Sequence, residues 1–318
     1  KTSLKSREIY FTRRACEMDQ TGFEQNNTEN FLIESDVPEC TKTEPCWMGI
    51  DEAGRGPVLG PMVYGTCYSP ISMKENLKTL EFADSKTLTE EKRDSIFEKL
   101  NDAKHFIGWM VEIISPHSIS TNMLRRAKVN LNTLSHDCAI RLIQRVLDRG
   151  VNVKEIYVDT VGDPAKYQTK LKELFPEIDI TVAAKADANY EIVGAASICA
   201  KVARDKAVKR WIFNEGIEME DNDYGSGYPG DPNTKKFLTN YMDKVFGFPS
   251  FVRFSWSTAD KLIEKHCVNV RWEDDDEEEN ESVKNTPSVM SFFTKNDDSH
   301  LERHKFFKDR CLISVDKL

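Results

Sequence analysis

Short apolar runs between residues 46 and 184 have the length and the residue types of buried β-strands. The first reads Trp-Met-Gly-Ile, and valine, isoleucine and aromatic residues dominate the later ones. Apolar runs of this kind, bounded by polar and turn-forming residues, are typical of strands. We predict five strands, over residues 47–50, 58–68, 106–114, 155–158 and 178–184.

Four helices are predicted between and after these strands. Thr89 can cap a helix that ends near Leu100, and Asp163 followed by Pro164 starts another that ends before Pro176. The other two show helical spacing of apolar residues, namely Leu131, Leu134, Cys138 and Leu142, and then Ile192, Ala196, Cys199, Ala203 and Ala207. Strands that alternate with helical crossovers indicate an α/β fold with a central sheet flanked by helices.

The polarity of the sequence divides the chain into four parts. Residues 1–44 are polar without a sustained apolar period, so we expect a disordered or loosely docked extension. Residues 45–215 carry the α/β pattern, and residues 216–270 continue it as a helical C-terminal part. Residues 271–318 are expected to be an acidic linker and a partner-binding tail.

Charge is unevenly distributed over the 318 residues. The net charge is −9, but residues 271–281 alone hold eight acids against one arginine. Residues 185–210 hold six bases against three acids, so this segment has the charge to face phosphates. The overall acidity therefore does not exclude a nucleic-acid partner.

The eight cysteines include no Cys-x-x-Cys pair, which argues against a structural zinc site. Cys138 and Cys199 fall in apolar helical stripes, where a thiol acts as a small core residue, and this favours a reducing compartment. No run reaches the ~18 apolar residues of a membrane span, and the basic start lacks the apolar block of a secretory signal. We expect a soluble protein that does not act at a membrane.

Four acids stand where predicted strands end or a helix begins: Asp51, Glu52, Asp159 and Asp187. Neighbouring parallel strands present their carboxyl ends at one edge of a sheet, so Asp51 and Asp159 can converge there. Carboxylates suit Mg²⁺ or Mn²⁺, and two such ions can activate water and stabilise a leaving oxygen. Taken singly, each acid is also explained as a solvated cap or turn residue.

The run Asp-Glu-Ala-Gly-Arg-Gly-Pro-Val-Leu-Gly-Pro at residues 51–61 places glycines on both sides of Arg55. Glycine lets a backbone approach a ligand closely, so loop amides and carbonyls can bond a ribose hydroxyl, while Arg55 can reach a phosphate. A Gly-x-Gly turn alone is also an ordinary tight turn.

This run resembles the signature of the type 2 ribonucleases H (the ribonuclease HII family). Further motifs of that family follow in its order, over roughly residues 46–262. They are Asp84-Ser85-Lys86-Thr87-Leu88, Tyr157-Val158-Asp159-Thr160-Val161-Gly162, Lys185-Ala186-Asp187, the segment at residues 195–205, and Asp223-Tyr224-Gly225-Ser226-Gly227-Tyr228-Pro229. The long tail resembles that of the catalytic A subunit of the eukaryotic heterotrimeric members.

The resemblance implies an RNase H-like fold with a mixed central sheet and a helical C-terminal extension. It implies hydrolysis of RNA in RNA/DNA hybrids, and cleavage 5′ of single ribonucleotides in duplex DNA, with two Mg²⁺ or Mn²⁺ ions. By motif match, Asp51, Glu52, Asp159 and Asp187 would be the catalytic metal ligands. Gly54, Arg55 and Gly56 match the loop that reads the 2′-hydroxyl, which distinguishes RNA from DNA, and Tyr228 matches the tyrosine at the RNA-to-DNA junction.

Three basic residues have two interpretations each. Lys86, Lys201 and Arg204 either contact substrate phosphates or hold the acidic centre, or they lie on solvated surfaces. No histidine is nominated as a base, because His105, His117 and His136 have no acidic partner at a readable spacing. Trp211, Trp256 and Trp272 are expected to be core or subunit-packing residues rather than a platform for bases.

The resemblance also implies accessory subunits B and C and a nuclear location, with some protein in the cytoplasm. Residues 286–293 resemble a degenerate sliding-clamp-binding box without its leading glutamine. Exposed paired aromatics otherwise lack burial, so docking of Met290, Phe292 and Phe293 on a partner protein of the heterotrimer is the stronger expectation.

Two other functions remain open on the sequence. One is a non-catalytic subunit that binds hybrids, against which the intact acidic set argues. The other is a different Mg²⁺-dependent phosphoryl-transfer enzyme on a similar sheet, because clustered acids do not select a substrate. The glycine-flanked Arg55 loop is the feature that distinguishes a ribonuclease from both.

Overall fold

A six-stranded mixed sheet forms the centre of the computed structural model, which describes residues 18–80, 82, 88–217, 219 and 224–268. The strands are β1 (Phe31–Glu34), β2 (Cys46–Ala53), β3 (Met62–Pro70), β4 (Gly108–Ile114), β5 (Val153–Asp159) and β6 (Asp179–Ala183). Their order across the sheet is β1-β4-β3-β2-β5-β6. The first four in this order pair antiparallel, whereas β2, β5 and β6 are parallel.

Eleven α-helices surround the sheet within the described residues. They are α1 (Thr21–Gln25), α2 (Cys40–Thr43), α3 (Lys74–Lys78), α4 (Glu90–Asp102), α5 (Pro116–Leu124), α6 (Leu131–Asp148), α7 (Pro164–Leu174), α8 (Ala186–Asn189), α9 (Glu191–Lys209), α10 (Pro232–Asn240) and α11 (Ser257–His266). The predicted mixed sheet flanked by helices is thereby confirmed.

The sheet separates two apolar cores. One face packs against α9 and α4, with Trp47, Val63 and Cys199 among its buried residues. The other face packs against α6 and α7, around Ile50 and Leu142. Side chains alternate between the faces of a strand, so consecutive residues of β2 belong to different cores.

The predicted caps form as the sequence indicates. Thr89 accepts a hydrogen bond from the Lys92 amide at the start of α4, and Asp163 accepts from the Ala165 amide, 3.0 Å away, at the start of α7. The cysteines expected in the core, Cys138 and Cys199, are fully buried.

Strand ends differ from the prediction at the two positions that matter most for function. The first strand does not stop before Asp51 but continues to Ala53, because its antiparallel pairing with β3 runs through Asp51, Glu52 and Ala53. The next strand begins at Met62 rather than residue 58. The glycine-rich run between them is therefore a loop that connects two paired strands.

Residues 18–44, for which we expected a disordered or loosely docked extension, are part of the folded unit. Strand β1 pairs with β4 at the edge of the sheet, and Phe23 lies in the core. Side-chain contacts fix this segment further, since the Gln20 amide donates to the Ala203 carbonyl at 2.9 Å and Ser115 donates to the Thr28 carbonyl at 2.7 Å. Its apolar residues are too sparse for a periodic pattern, but the pairing and these contacts hold the segment against the domain.

The described residues up to Val268 belong to one compact unit, so those after residue 215 pack with the α/β part instead of forming a separate domain. Helices α10 and α11 make this part helical, as predicted. The expectations for residues 1–17 and for the tail beyond residue 268, including Trp272 and residues 286–293, lie outside the described residues. In the described part of the chain, none of the helices has the length and apolar character needed to span a membrane.

Candidate active site

Three of the predicted acids are carried to one edge of the sheet. Ile50 of β2 is paired with Val158 of β5 in parallel register, so the next residues, Asp51 and Asp159, are neighbours. Strand β6 lies beyond β5 and leads through Lys185, in the left-handed conformation at φ 56°, into α8. This turn places Asp187 in the first turn of α8.

The surroundings of Asp51 show that these acids interact. Burial raises the pKa of Asp51 to about 7, and the charges of Asp159 and Asp187 also raise it. Hydrogen bonds from Ser197 and from the Glu52 amide oppose this rise. Asp51 is 5% exposed, so its carboxylate lies in a largely water-free environment beside two further carboxylates.

Asp159 also connects two elements of the site. Its Oδ1 atom accepts a hydrogen bond from the Ala186 amide at 2.8 Å, at the start of α8. The end of β5 is thereby joined to the helix that carries Asp187, which fixes the two acids relative to each other.

Glu52 lies on the other face of the sheet from Asp51. It follows Asp51 in β2 and is paired across the strands with Tyr64. Burial raises the pKa of Tyr64 well above its usual value, and the Glu52 charge raises it further. The Glu52 carboxylate therefore lies on the α6 side, and Asp51, bonded to Ser197 of α9, lies on the α9 side.

The donor set of the site suits a hard divalent cation. Within the described residues, no three side chains of His, Cys, Asp or Glu are close enough together to enclose a metal ion. Mg²⁺ does not need such a cage, since it commonly binds one or two carboxylates and takes water and substrate phosphate as its other ligands. Asp51, held among like charges at an elevated pKa, is the kind of group that a cation stabilises in its ionised form. The residues present therefore fit ions of this type.

The glycine-rich loop after β2 is held by a buried arginine that the sequence analysis did not identify. Arg253 is fully buried, and its guanidinium donates to the carbonyls of Gly60 at 2.8 Å, Arg55 at 3.0 Å and Gly54 at 2.6 Å. It stacks on Trp256, whose indole N–H donates to the Gly56 carbonyl at 3.1 Å. A single side chain thus fixes three carbonyls of the loop.

Nothing in the local pattern marked Arg253 as special. It lies in Phe-Val-Arg-Phe-Ser-Trp, about 200 residues after its partners, and one arginine among aromatics has no periodic signature. The available signal was chemical: a buried guanidinium needs several acceptors, and a glycine loop in an irregular conformation has carbonyls to offer.

Arg55 and Arg204 are engaged with the protein. Arg55 donates from Nη1 to the Ser135 hydroxyl at 2.5 Å and from Nη2 to the Asn132 side-chain oxygen. Arg204 lies against Gly54, where a Cβ atom would come within 2.1 Å of its Nε. That Nε is buried without a hydrogen-bond partner, and desolvation lowers the pKa of Arg204. Arg204 thus lies against the loop rather than on an open helix face.

Two structural features require a glycine at position 54. Its φ of +75° lies in the left-handed region, and Arg204 occupies the space that a side chain would need.

Tyr228 is brought to the same loop from a distant part of the chain. Its ring is 3.1 Å from the position of a Cβ atom on Gly56, and its side chain is 53% exposed. The amide of Val58 donates to the carbonyl of Gly227, which ties the tyrosine's segment to the loop. An exposed aromatic ring beside Gly56 is available to a ligand that contacts both.

The positions of the remaining predicted residues say less about a role in the site. Lys201 is partly buried on α9, and Lys86 lies outside the described residues. Ser197 of α9 is fully buried, because its face of the helix meets the sheet at Asp51. Trp211 is a core residue, whereas Trp256 is only partly buried.

Comparison with known proteins gives one consistent result. The family model described as Ribonuclease HII matches residues 48–259. The chain is 51% identical over 299 residues to the A subunit of ribonuclease H2 from Bos taurus, and the match covers 94% of this chain and 99% of the relative. It is 50% identical over 273 residues to the A subunit from Arabidopsis thaliana, covering 85% and 92% of the two chains.

Solved structures resemble the fold as well. The ribonuclease H2 from Pyrococcus horikoshii aligns with a TM-score of 0.58 and 35% identity, over 70% of this chain and 98% of its own. The RNase HII of Archaeoglobus fulgidus, solved in complex with PCNA, aligns with a TM-score of 0.56 and 29% identity, over 72% and 99%.

Proposed function

Because the chain belongs to the ribonuclease HII family and is a ribonuclease H hydrolase, we propose that it is the catalytic member of a heterotrimer acting on RNA/DNA hybrids and embedded ribonucleotides. It hydrolyses the RNA strand of hybrids and cuts 5′ of a single ribonucleotide in duplex DNA, leaving a 3′-hydroxyl and a 5′-phosphate. Its tasks are ribonucleotide excision repair and the removal of RNA primers.

One observation carries this proposal: Asp51 lies within the charges of two further acids, next to a glycine loop with an exposed tyrosine at its side. Acids that attract cations are common to many phosphoryl-transfer sites. Only a site that also reads the sugar distinguishes RNA from DNA at a single position. The combination supports a ribonuclease over the other metal-dependent enzymes considered from the sequence.

Asp51, Glu52, Asp159 and Asp187 are the residues that would hold two Mg²⁺ or Mn²⁺ ions. When bound, the ions supply charge stabilisation at the scissile phosphate and activation of water. The protein's own contribution is to hold the carboxylates in place, through β2, β5 and the bond from the Ala186 amide to Asp159. Burial of Asp51 also excludes water that would weaken its electrostatic interactions.

Substrate selection falls to the loop and to Tyr228. The backbone of Gly54, Arg55 and Gly56 approaches the ribose 2′-hydroxyl, and their carbonyl positions are fixed by Arg253 and Trp256. Tyr228 packs on the sugar of the next nucleotide, which favours an RNA-to-DNA junction. An open hollow of about 460 Å³, lined by Arg55, Gly56 and Trp256 among others, continues from the loop and offers space to the flanking strand.

The protein acts in the nucleus, with accessory subunits B and C. Its eukaryotic relatives are each named as one lettered member of ribonuclease H2, which implies a complex of several chains. The archaeal relative solved with PCNA supports a sliding-clamp contact as a second, weaker partner proposal for residues 286–293.

The test is cleavage of duplex DNA that carries one ribonucleotide, with Mg²⁺ and with EDTA, by this chain alone and with both accessory subunits. Metal-dependent cutting 5′ of the ribonucleotide is expected, and a requirement for the added chains would establish the heterotrimer. A folded protein that binds the duplex and cuts in no combination would support the non-catalytic hybrid-binding alternative instead.

The site assignment is tested by Asp51→Asn and Asp159→Asn. Each change removes a negative charge that the cations need, so turnover should be abolished while folding and hybrid binding are largely kept. Single-turnover cleavage and a binding titration in the same buffer separate the two effects. Cleavage close to that of the wild type by either variant would reject the assignment.

A further inference from the structure

The first turns of α6 hold the side chain of Arg55. Its Nη1 donates to Ser135 at 2.5 Å and its Nη2 donates to Asn132. Ser135 is fully buried, so this hydrogen bond lies in a water-poor environment where it is strong and geometrically demanding. Arg55, between the two glycines of the loop, is therefore fixed from the helix side.

The same turns hold a second loop, the one that follows Asp159. The ring Nε2 of His136 is 3.1 Å from the carbonyl oxygen of Val161, and the ring stacks on Tyr167 with 3.7 Å between centroids. Asn132 also meets this loop: a Cβ atom on Gly162 would come within 3.1 Å of its amide nitrogen. Asn132 thus bonds to the Arg55 loop and lies close to the loop after Asp159.

These two loops serve the two functions of the proposed site, recognition of the ribose and binding of the metal ions. One reads the ribose through its backbone, and the other begins directly after the metal-binding Asp159. Strand pairing between β2 and β5 ends at Ile50 and Val158, so pairing alone does not fix the loops relative to each other. A rigid helix that bonds to both supplies that missing connection.

We propose that Asn132 and Ser135, with His136, are positioning residues that hold the Arg55 loop at a fixed place relative to the loop after Asp159, and so align the 2′-hydroxyl with the acidic centre. This rests on the proposed function. These residues act through Arg55 and Val161 and do not themselves touch the reacting atoms. Misplacement by about 1 Å is enough to lower a rate up to about 100-fold, so the effect should appear in kcat.

The experiment is a double-mutant cycle with Asn132→Leu and Arg55→Met in the complete assembly. It measures kcat and KM on duplex DNA with one embedded ribonucleotide. Asn132→Leu should lower kcat by at least about 10-fold with KM within about 2-fold, because alignment is lost while substrate binding remains. The double variant should be no slower than Arg55→Met alone, since the two residues act through one contact.

Two controls separate alignment from stability. Gln144→Leu removes an amide from the same helix, where Gln144 bonds Asp148 at 2.9 Å, and should leave kcat unchanged. Ser135→Ala is the second variant if Asn132→Leu does not fold, and it should show the same non-additivity with Arg55→Met.

Failure of the positioning role and failure of the proposed function give different results in this experiment. Multiplicative losses in the double variant, or an unchanged kcat in both Asn132→Leu and Ser135→Ala, would overturn the positioning role while the wild type still cleaves. A wild-type assembly that does not cleave the ribonucleotide duplex would overturn the proposed function, and the positioning role with it.

Discussion

A single buried carboxylate, Asp51, gives the site an expected dependence on pH. Its pKa of about 7 in the folded protein lies above the ordinary value of 3.8, so between these pH values the folded state binds more protons than the unfolded state. The contribution of Asp51 to the free energy of unfolding of the metal-free protein therefore falls as the pH rises from about 4 to about 7.

Asp51→Asn should remove this penalty. In EDTA at pH 8, the variant should melt above the wild type by ~3 °C or more, and the difference should shrink towards pH 5. Added Mg²⁺ should raise the melting temperature of the wild type and have less effect on the variant. Thermal melts followed by circular dichroism test both statements, and a difference that is constant across pH would contradict them.

Tyr228 is expected to contribute more to cleavage at single embedded ribonucleotides than to cleavage of long hybrids. Its exposed ring lies next to Gly56, and the proposed function assigns it a contact with the sugar after the ribonucleotide. Burying a ring of this size is worth up to about 1.5–3 kcal/mol, which corresponds to roughly 10- to 150-fold in rate. Tyr228→Ala should therefore lose more activity on single embedded ribonucleotides than on long hybrids.

Tyr228→Phe separates the ring from its hydroxyl in the same assay. Comparison of kcat/KM on the two substrates is the measurement. Equal losses on both substrates in the alanine variant would reject a role at the junction.

At the scale of elements, the glycine loop depends on a guanidinium and not only on its own sequence. Arg253→Lys keeps the charge but cannot bond the carbonyls of Gly54, Arg55 and Gly60 together. Buried carbonyls left without donors cost about 1–3 kcal/mol, so stability should fall and the loop should lose its shape. We expect kcat/KM on an embedded ribonucleotide to drop by at least about 10-fold.

Arg149→Lys is the matched control. Arg149 donates to the Ser35 carbonyl at 2.8 Å, far along the chain from the loop, so its replacement should affect cleavage little. Urea unfolding measures the stability of both variants, and steady-state kinetics measure their cleavage activity. Similar activity losses in the two variants would show that general destabilisation, not loop shape, is responsible.

Elements were predictable where the signal is local. The caps at Thr89 and Asp163 depend on neighbouring residues and appear as expected. Of the predicted apolar stripe of α6, Cys138 and Leu142 are buried, whereas Leu131 and Leu134 are only partly buried. Strand ends were missed, because the pairing of Asp51 and Glu52 with β3 decides where β2 stops. Contacts such as Arg253 with the glycine loop join residues about 200 positions apart, and no periodicity reveals them.

At the scale of the whole molecule, residues 18–44 are a structural part of the fold. Phe23 is 1% exposed and packs edge-to-face on Trp211, with ring centroids 5.9 Å apart. Phe23→Ala should therefore lower the free energy of unfolding by about 3–5 kcal/mol. Phe246→Ala is the control, because Phe246 is 77% exposed and its loss should cost no more than about 0.5 kcal/mol.

Denaturant unfolding of both variants is the measurement. A Phe23→Ala protein as stable as the Phe246→Ala protein would mean that residues 18–44 can detach without loss.

The cluster of arginines around the glycine loop has a consequence for how substrate arrives. Arg55, Arg204 and Arg253 make their hydrogen bonds to neutral oxygens, and a carboxylate charge, that of Asp205, acts on Arg204. These arginines therefore offset part of the repulsion that the neighbouring acids exert on a polyanion. Encounter with the duplex would then be guided by a field that added salt screens within about 10 Å at 0.1 M, although the bonds inside the protein persist.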